Sequence, residues 1–521
     1  MERVGHVSGQ TSQPAVEVWI QRFNEGAGHF NAGRIAEAEA SFRQAADLQP
    51  NHPTIHFNRG LALRMLGRHD EAGEALRTTL RLKGDHVDAL FHLGAVLMDQ
   101  RRMQEAQLAF RQVLAVRPDY PTAALSLGNA RMHMDQSEQA LPAYRLAVVV
   151  DPTCANSTNN LGAAFMSLCR EDDAAPFYRR AIRLVPGSAE YHKNLGTCQL
   201  KAGDFDEGGR EYEWREEQAV WKWKRSFPGK ARWDGAPLAG RTLLVHFEQG
   251  IGDTFQYIRY LAVAKAMGAR TVFECQPSLK RFLACAPGID VLVGHGEPLP
   301  DFDVHAPLMS MPYLCRSTPA TIPGGVPYLA PEPELAAAWR RRMAEDVFRI
   351  GINWHANEVN RSIPLELFEG IARIPGVRLH SLQKVVGLDQ LERLRDRLGI
   401  VDWTAGMDAG SDGFVDTAAV MANMDLIISC DTAVNHLAGA MGLNAILVAR
   451  WFGDWRWMRI PDSSPFYPTM RLFRMAHRND WAEVMGRVTA EVARQAAVKQ
   501  AAGKIAGRAA VPDAGFHAAG A

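Results

Sequence analysis

The first 220 residues repeat one hydrophobic pattern at a fixed interval. Gly26, Gly60, Gly94, Gly128, Gly162 and Gly196 stand 34 residues apart. Twelve residues further on, Ala38, Ala72, Ala106, Ala140, Ala174 and Gly208 keep the same period. Four residues after these come large side chains: Phe42, Leu76, Phe110, Tyr144, Tyr178 and Tyr212. Pro50, Gly84, Pro118, Pro152 and Pro186 close successive units, as residues that end a helix do. The spacing predicts two antiparallel helices per unit, meeting where Gly and Ala leave room. Neither helix buries its face alone, so stacked units form a superhelix with a concave surface suited to a peptide.

From Arg241 the period changes. Leu243–Phe247, Arg270–Cys275, Ile289–Val293 and Val304–Pro307 read as strands, with a helix at Thr254–Met267. Ile350–Trp354, Val377–Leu382, Leu426–Ser429 and Ala445–Arg450 continue the series, with helices at Pro364–Ile374, Leu388–Leu398 and Thr432–Met441. Strands alternating with helices predict parallel, doubly wound sheets. The expected divisions are an N-terminal extension (1–18), six repeats (19–222), a Trp-rich linker (223–240), a first α/β half (241–330), a hinge (331–347), a second half (348–495) and a disordered Ala/Gly-rich tail (496–521).

Composition narrows the classes. The 58 Lys and Arg cancel the 58 Asp and Glu, and no basic block occurs, which argues against a nucleic-acid partner. Seven cysteines without a CxxC pair argue against a disulfide framework or zinc site and favour a reducing compartment. The polar start carries Glu2 and Glu17, unlike a signal peptide, and no run reaches membrane-spanning length, so a cytoplasmic location is expected. No carboxylate cluster of the metal-binding kind is apparent, and no cofactor is expected.

Three places carry candidate chemistry. In Glu248-Gln249-Gly250-Ile251-Gly252-Asp253, glycines between a strand and a helix let a backbone approach a ligand, and the helix start attracts anions; Asp253 reads equally as a helix cap. In Ser429-Cys430-Asp431-Thr432-Ala433-Val434-Asn435-His436, a second helix start offers amides and the Thr432 hydroxyl to a phosphate. His436 lies one turn in, and reads either as a ligand group or as a buried histidine. In the repeats, the position two before each glycine holds Asn24, Asn58, His92, Ser126, Asn160 and Asn194. This column reads either as a ladder of groups for a peptide backbone or as a solvated polar face.

Three family resemblances bear on these places. The period, small positions, aromatics and prolines over about residues 19–222 resemble the tetratricopeptide repeat. The asparagine column resembles the groove of the nucleocytoplasmic O-linked N-acetylglucosamine transferases. From Leu243 to about Val492, the stretches Glu248–Asp253, Asn360-Arg361-Ser362-Ile363-Pro364-Leu365, Ser381-Leu382-Gln383-Lys384, Asp431–Gly439, Asp454-Trp455-Arg456-Trp457 and Ser464–Met470 resemble heptosyltransferase-like glycosyltransferases, especially their repeat-fused bacterial members. That resemblance implies a GT-B domain of two Rossmann-like halves, the first one short. It implies Asp253 as catalytic base and a nucleotide-sugar donor held by Gly250, Gly252, Asp431, Thr432 and His436. Arg361 is the best match for the phosphate-binding cation, and Lys384 the second. The expected function is inverting transfer of a sugar to Ser or Thr of a protein acceptor, flagellin or another exported protein, held by Asn24, Asn58, Asn160 and Asn194. The alternative is a non-catalytic scaffold with a degenerate transferase domain.

Overall fold

The computed structural model describes residues 14–509 apart from 344 and 409. Most of the expected extension, and the tail from 510 on, lie outside the described residues. The chain divides after Tyr191 into two compact units.

The first unit is an all-helical repeat superhelix. Its helix pairs are Pro14–Asn31 with Ile35–Leu48, Pro53–Met65 with His69–Leu82, Val87–Asp99 with Met103–Val116, Pro121–His133 with Ser137–Val150, and Ala155–Ser167 with Glu171–Leu184. The periodic glycines are small because the partner helix presses a ring or a leucine onto them. A Cβ on Gly94 would lie 2.7 Å from the Phe110 ring, and one on Gly128 only 2.4 Å from Tyr144. Each second helix tends to open on an arginine that grips the acid three residues on, as Arg68 does Glu71, Arg102 does Glu105 and Arg170 does Asp173.

The sixth pair, Ala189–Ala202 and Phe205–Tyr212, begins at the boundary, and most of it belongs to the second unit. Leu200, Phe205 and Tyr212 join the core of the α/β region there, packed with residues such as Trp233, Leu314 and Trp455. A 3-10 turn, Glu213–Glu217, follows. Its Arg215 is fully buried and forms a bidentate pair with Glu248 at 3.0 and 2.8 Å. Burial holds the Glu248 carboxyl above its ordinary range, opposed by Arg215. Glu248, read as part of a ligand turn, is therefore occupied by Arg215.

The strands are β1 (Ala231–Arg232), β2 (Thr242–His246), β3 (Arg270–Cys275), β4 (Val291–Gly294), β5 (Val304–Pro307), β6 (Phe348–Asn353), β7 (Val377–Ser381), β8 (Val401–Asp402), β9 (Leu426–Ser429), β10 (Ala445–Ala449) and β11 (Met470–Arg474). They form two parallel sheets, in the orders β1-β5-β2-β3-β4 and β11-β10-β9-β6-β7-β8. One core runs between the sheets, from Leu243 and Val245 of β2 to Leu447 of β10 and Leu472 of β11. The far face of the second sheet, with Ile350, Ile428 and Val448, packs on Val484, Val488 and Val492 of the helix Trp481–Ala509.

Four expectations are corrected. The linker is part of the first sheet, because β1 pairs with β5 and Trp233 is buried. The helix expected at Thr254–Met267 is two helices, Ile251–Tyr257 and Tyr260–Ala266. The hinge contains the helix Pro333–Arg342, anchored where the Trp339 indole donates to Asp416 at 2.8 Å. The chain is helical through Ala509, where a disordered tail was expected from 496.

Candidate functional site

A cleft of about 550 Å³ lies between the two sheets. Gly250–Gly252 reach it just after β2, Asn353 at the end of β6, His355–Glu358 and Arg361 beyond it, Leu382–Val386 after β7 and Asp431–Val434 after β9. Asp408, Gly413, Phe414 and Thr417 complete the lining. Ligands of open parallel sheets gather beyond the carboxyl ends of the strands, because the connecting loops diverge there and helices begin with free N–H groups.

The floor is an amide network. The Asn353 side-chain NH₂ donates to Gln383 Oε1 at 2.9 Å, which also accepts from the backbone N–H groups of Trp354 and His355. The Gln383 NH₂ donates to the His355 carbonyl at 3.0 Å. These bonds lock the turn after β6 to that after β7. Thr432 donates its hydroxyl to Asn353 Oδ1 at 2.6 Å, so that hydroxyl supports the floor and is not a free donor for a phosphate. Asn353 and His355 were missed in the sequence, since a buried Asn at a strand end has no local signature.

Of the cations, Arg361 lines the cleft with its guanidinium held by Glu358, Nη2–Oε1 2.8 Å, and standing 4.0 Å from Asp431. The Lys384 ammonium donates to the carbonyls of Met407 and Asp408 at 2.8 and 2.6 Å. Asp431 is raised to about 6, first by burial and then by the neighbouring Asp454, against the pull of Arg361.

The cleft brings together Gly250, Gly252, Arg361, Lys384, Asp431 and Thr432, and its lining does not include Asp253 or His436. Asp253 is buried and engaged on both oxygens. Arg456 donates to Oδ1 at 2.6 Å, and the Gly250 N–H donates to Oδ2 at 3.0 Å, closing the start of the helix Ile251–Tyr257. Its observed place is thus a helix cap and half of an ion pair. Arg456, 203 residues away in sequence, was not foreseen. His436 is buried beside the Tyr467 hydroxyl, 3.0 Å from Nδ1, and stacked on Trp457. Burial lowers it to about 3, so it is neutral. Gly252 is small for packing, since a Cβ there would lie 2.8 Å from the His436 ring.

The asparagine column is less open than expected. Asn58 is buried and its NH₂ donates to Thr54 O within its own helix at 2.9 Å. Asn160 donates to Asn129 and accepts from Asn159. Asn24 is half-buried, with its side-chain oxygen inaccessible and unpartnered. Asn194, half-buried, stands at the same position of the sixth pair, in the second unit.

No described helix is long and apolar enough to cross a membrane, and the described residues contain no group of three or more His, Cys, Asp or Glu able to hold a metal ion.

Comparison with known proteins identifies the repeats. The tetratricopeptide repeat family matches residues 23–87, 66–124, 93–152, 125–189 and 172–213. The chain is 27% identical over 320 residues to Protein FlbA of Caulobacter vibrioides, covering 56% of this chain and 53% of that protein, so it spans about half the length of this curated relative. Solved structures similar to it include a MamA protein, at 20% identity over 34% of this chain and 96% of that one with a TM-score of 0.32. Another is YrrB, a TPR protein with an unusual peptide-binding site, at 16% identity over 33% and 93% with a TM-score of 0.30. A third is pilF of Pseudomonas aeruginosa, at 16% identity over 40% and 100% with a TM-score of 0.34.

Proposed function

We propose that the cleft binds a nucleotide-activated sugar in the manner of GT-B glycosyltransferases, and that the chain transfers the sugar to a Ser or Thr hydroxyl of a protein bound by its repeats. The observation that carries this reading is one cleft lined from the strand ends of two parallel sheets, with the helix start at Ala433 and the Arg361 guanidinium on its wall. The amides of Ala433 and Val434 and the guanidinium suit a diphosphate. In the transfer, the acceptor oxygen bonds to the anomeric carbon. The bond from that carbon to the phosphate oxygen breaks, and its electron pair stays on the departing diphosphate. The hydroxyl proton passes to a base. Family resemblance gives that role to Asp253, which would first have to leave Arg456.

This engagement of Asp253 favours a second reading, in which the repeats bind a protein and the α/β unit is a degenerate domain that binds a nucleotide sugar without turnover, or nothing. Calorimetry of the full chain against UDP, GDP, ADP and dTDP and their sugars tests the cleft, and release of diphosphate tests transfer. One nucleotide class should bind, and Arg361→Ala should weaken it by about tenfold. Binding without turnover, in the presence of exported proteins from the same cell, selects the scaffold. No binding by any of them overturns the transferase reading and favours the scaffold.

A further inference from the structure

We propose that Asp431 discriminates by charge among ligands of the cleft, admitting a nucleotide sugar and disfavouring the free nucleoside diphosphate that transfer leaves behind. The inference rests on the cleft being a nucleotide-sugar site.

Three carboxylates line the cleft, and they are differently occupied. Asp408 accepts from the backbone N–H groups of Asp416 and Thr417 and from the Thr417 hydroxyl at 2.6 Å. Glu358 holds Arg361 through both oxygens. The carboxylate of Asp431 sits farther from its one facing cation, 4.0 Å from Arg361, and lies 3.9 Å from the neutral His436 ring. It stands two residues before the helix Ala433–Ala440, where a diphosphate would meet the first free amides.

The local charge is therefore not an excess of positive charge. Arg361 faces both Glu358 and Asp431, and Lys384 is turned onto backbone carbonyls. Asp454 adds a further negative neighbour, Arg456 and Arg450 add positive ones, and the buried His436 is neutral. A nucleotide sugar carries its diphosphate as a diester. The released diphosphate has an additional ionisable oxygen, at the end nearest the reacting carbon. A carboxylate beside the helix start repels that extra charge more than it repels the diester. The same group that limits donor affinity would thus hasten product loss, a step that often limits turnover.

The test compares each nucleotide sugar with its own diphosphate by calorimetry at pH 8, where Asp431 is ionised. Asp431→Asn should tighten the diphosphate by about tenfold and the sugar by about threefold or less, and Asp431→Glu should keep the wild-type ratio. At pH 5 the wild type and the Asn variant should bind the nucleotide sugar alike, because its diester does not titrate between pH 5 and 8 while Asp431 gains a proton on passing down through about 6. Equal effects on both ligands, or weaker binding of both, would overturn the inference; the second result would make Asp431 a hydrogen-bonding ligand of the donor. If no pair binds even to the wild type, the cleft reading itself falls, and this inference with it.

Discussion

Within the repeats, neighbouring helices meet mainly through uncharged shapes: Gly26 under Phe42, Gly94 under Phe110, Gly128 under Tyr144, Gly162 under Tyr178. Glu39 is among the few buried charges there, and Arg59 reaches it at 3.1 Å. The α/β unit instead buries Arg215 against Glu248 and Arg456 against Asp253 and Asp454, and places a raised Asp431 on the cleft wall. The difference is one of how energy is distributed. In the repeats each interface is similar and local, so stability is roughly a sum of neighbours. In the α/β unit a few desolvated charges fix the turns that shape the cleft, and each is costly to leave without its partner.

The largest expected effect follows from that. Arg215→Ala leaves Glu248 buried without a counter-charge, which should cost about 3–5 kcal/mol. The loss should fall on the second unit. Of the 12 tryptophans all but Trp19 lie beyond Tyr191, so tryptophan fluorescence in urea should show it while helicity of the repeats persists to higher denaturant. Arg215→Met with Glu248→Leu should recover much of the loss, since both charges are then gone. Equal losses in the double and single variants would mean that Arg215 acts through its other contacts.

Asp431 gives the opposite sign. Its carboxyl is raised in the folded chain, so folding disfavours the ionised form. That cost is absent below the unfolded value near 4, grows between there and about 6, and is complete above. Asp431→Asn should therefore stabilise the second unit at pH 8 by an amount on the order of 2 kcal/mol, and change little at pH 4. A stabilisation independent of pH would assign the effect to packing.

What could be read in advance divides along the same line. The repeats were legible because six copies print each steric rule at a fixed interval. Strands such as β3, β5 and β9 were legible as apolar runs, with ends at Arg270 and Cys275, Val304 and Pro307, Leu426 and Ser429. The two-residue strands β1 and β8 were not, because they exist through pairing with β5 and β7 rather than through any pattern of their own. Six of the proposed ligand residues meet in the cleft because each lies in the segment that follows a strand's carboxyl end, up to the helix start where one comes next. Asp253 and His436 sit beside it, held by Arg456 and Tyr467, partners far off in sequence. The engaged amides of Asn58 and Asn160 were illegible for a related reason, since residue type does not show which acceptor a side chain has already found.

The smallest effects test whether shape alone carries the repeat half of the comparison. Gly128 and Gly28 are both glycines inside first helices of repeats, yet their surroundings differ. A methyl on Gly128 would lie 2.4 Å from the Tyr144 ring, which is itself buried and held through its hydroxyl to Asn129 at 2.8 Å, so the ring has little freedom to retreat. Gly128→Ala should cost about 1–2 kcal/mol through overpacking. A methyl on Gly28 meets nothing within 4 Å, and its backbone is already helical. Gly28→Ala should stabilise the first unit by about 0.5–1 kcal/mol, because alanine loses less freedom on entering a helix. Thermal melts followed by circular dichroism should separate the two variants by opposite shifts from wild type. If both substitutions lower the melting temperature, the periodic glycines are not explained by the rings they face, and the repeats depend on some property of glycine beyond its size.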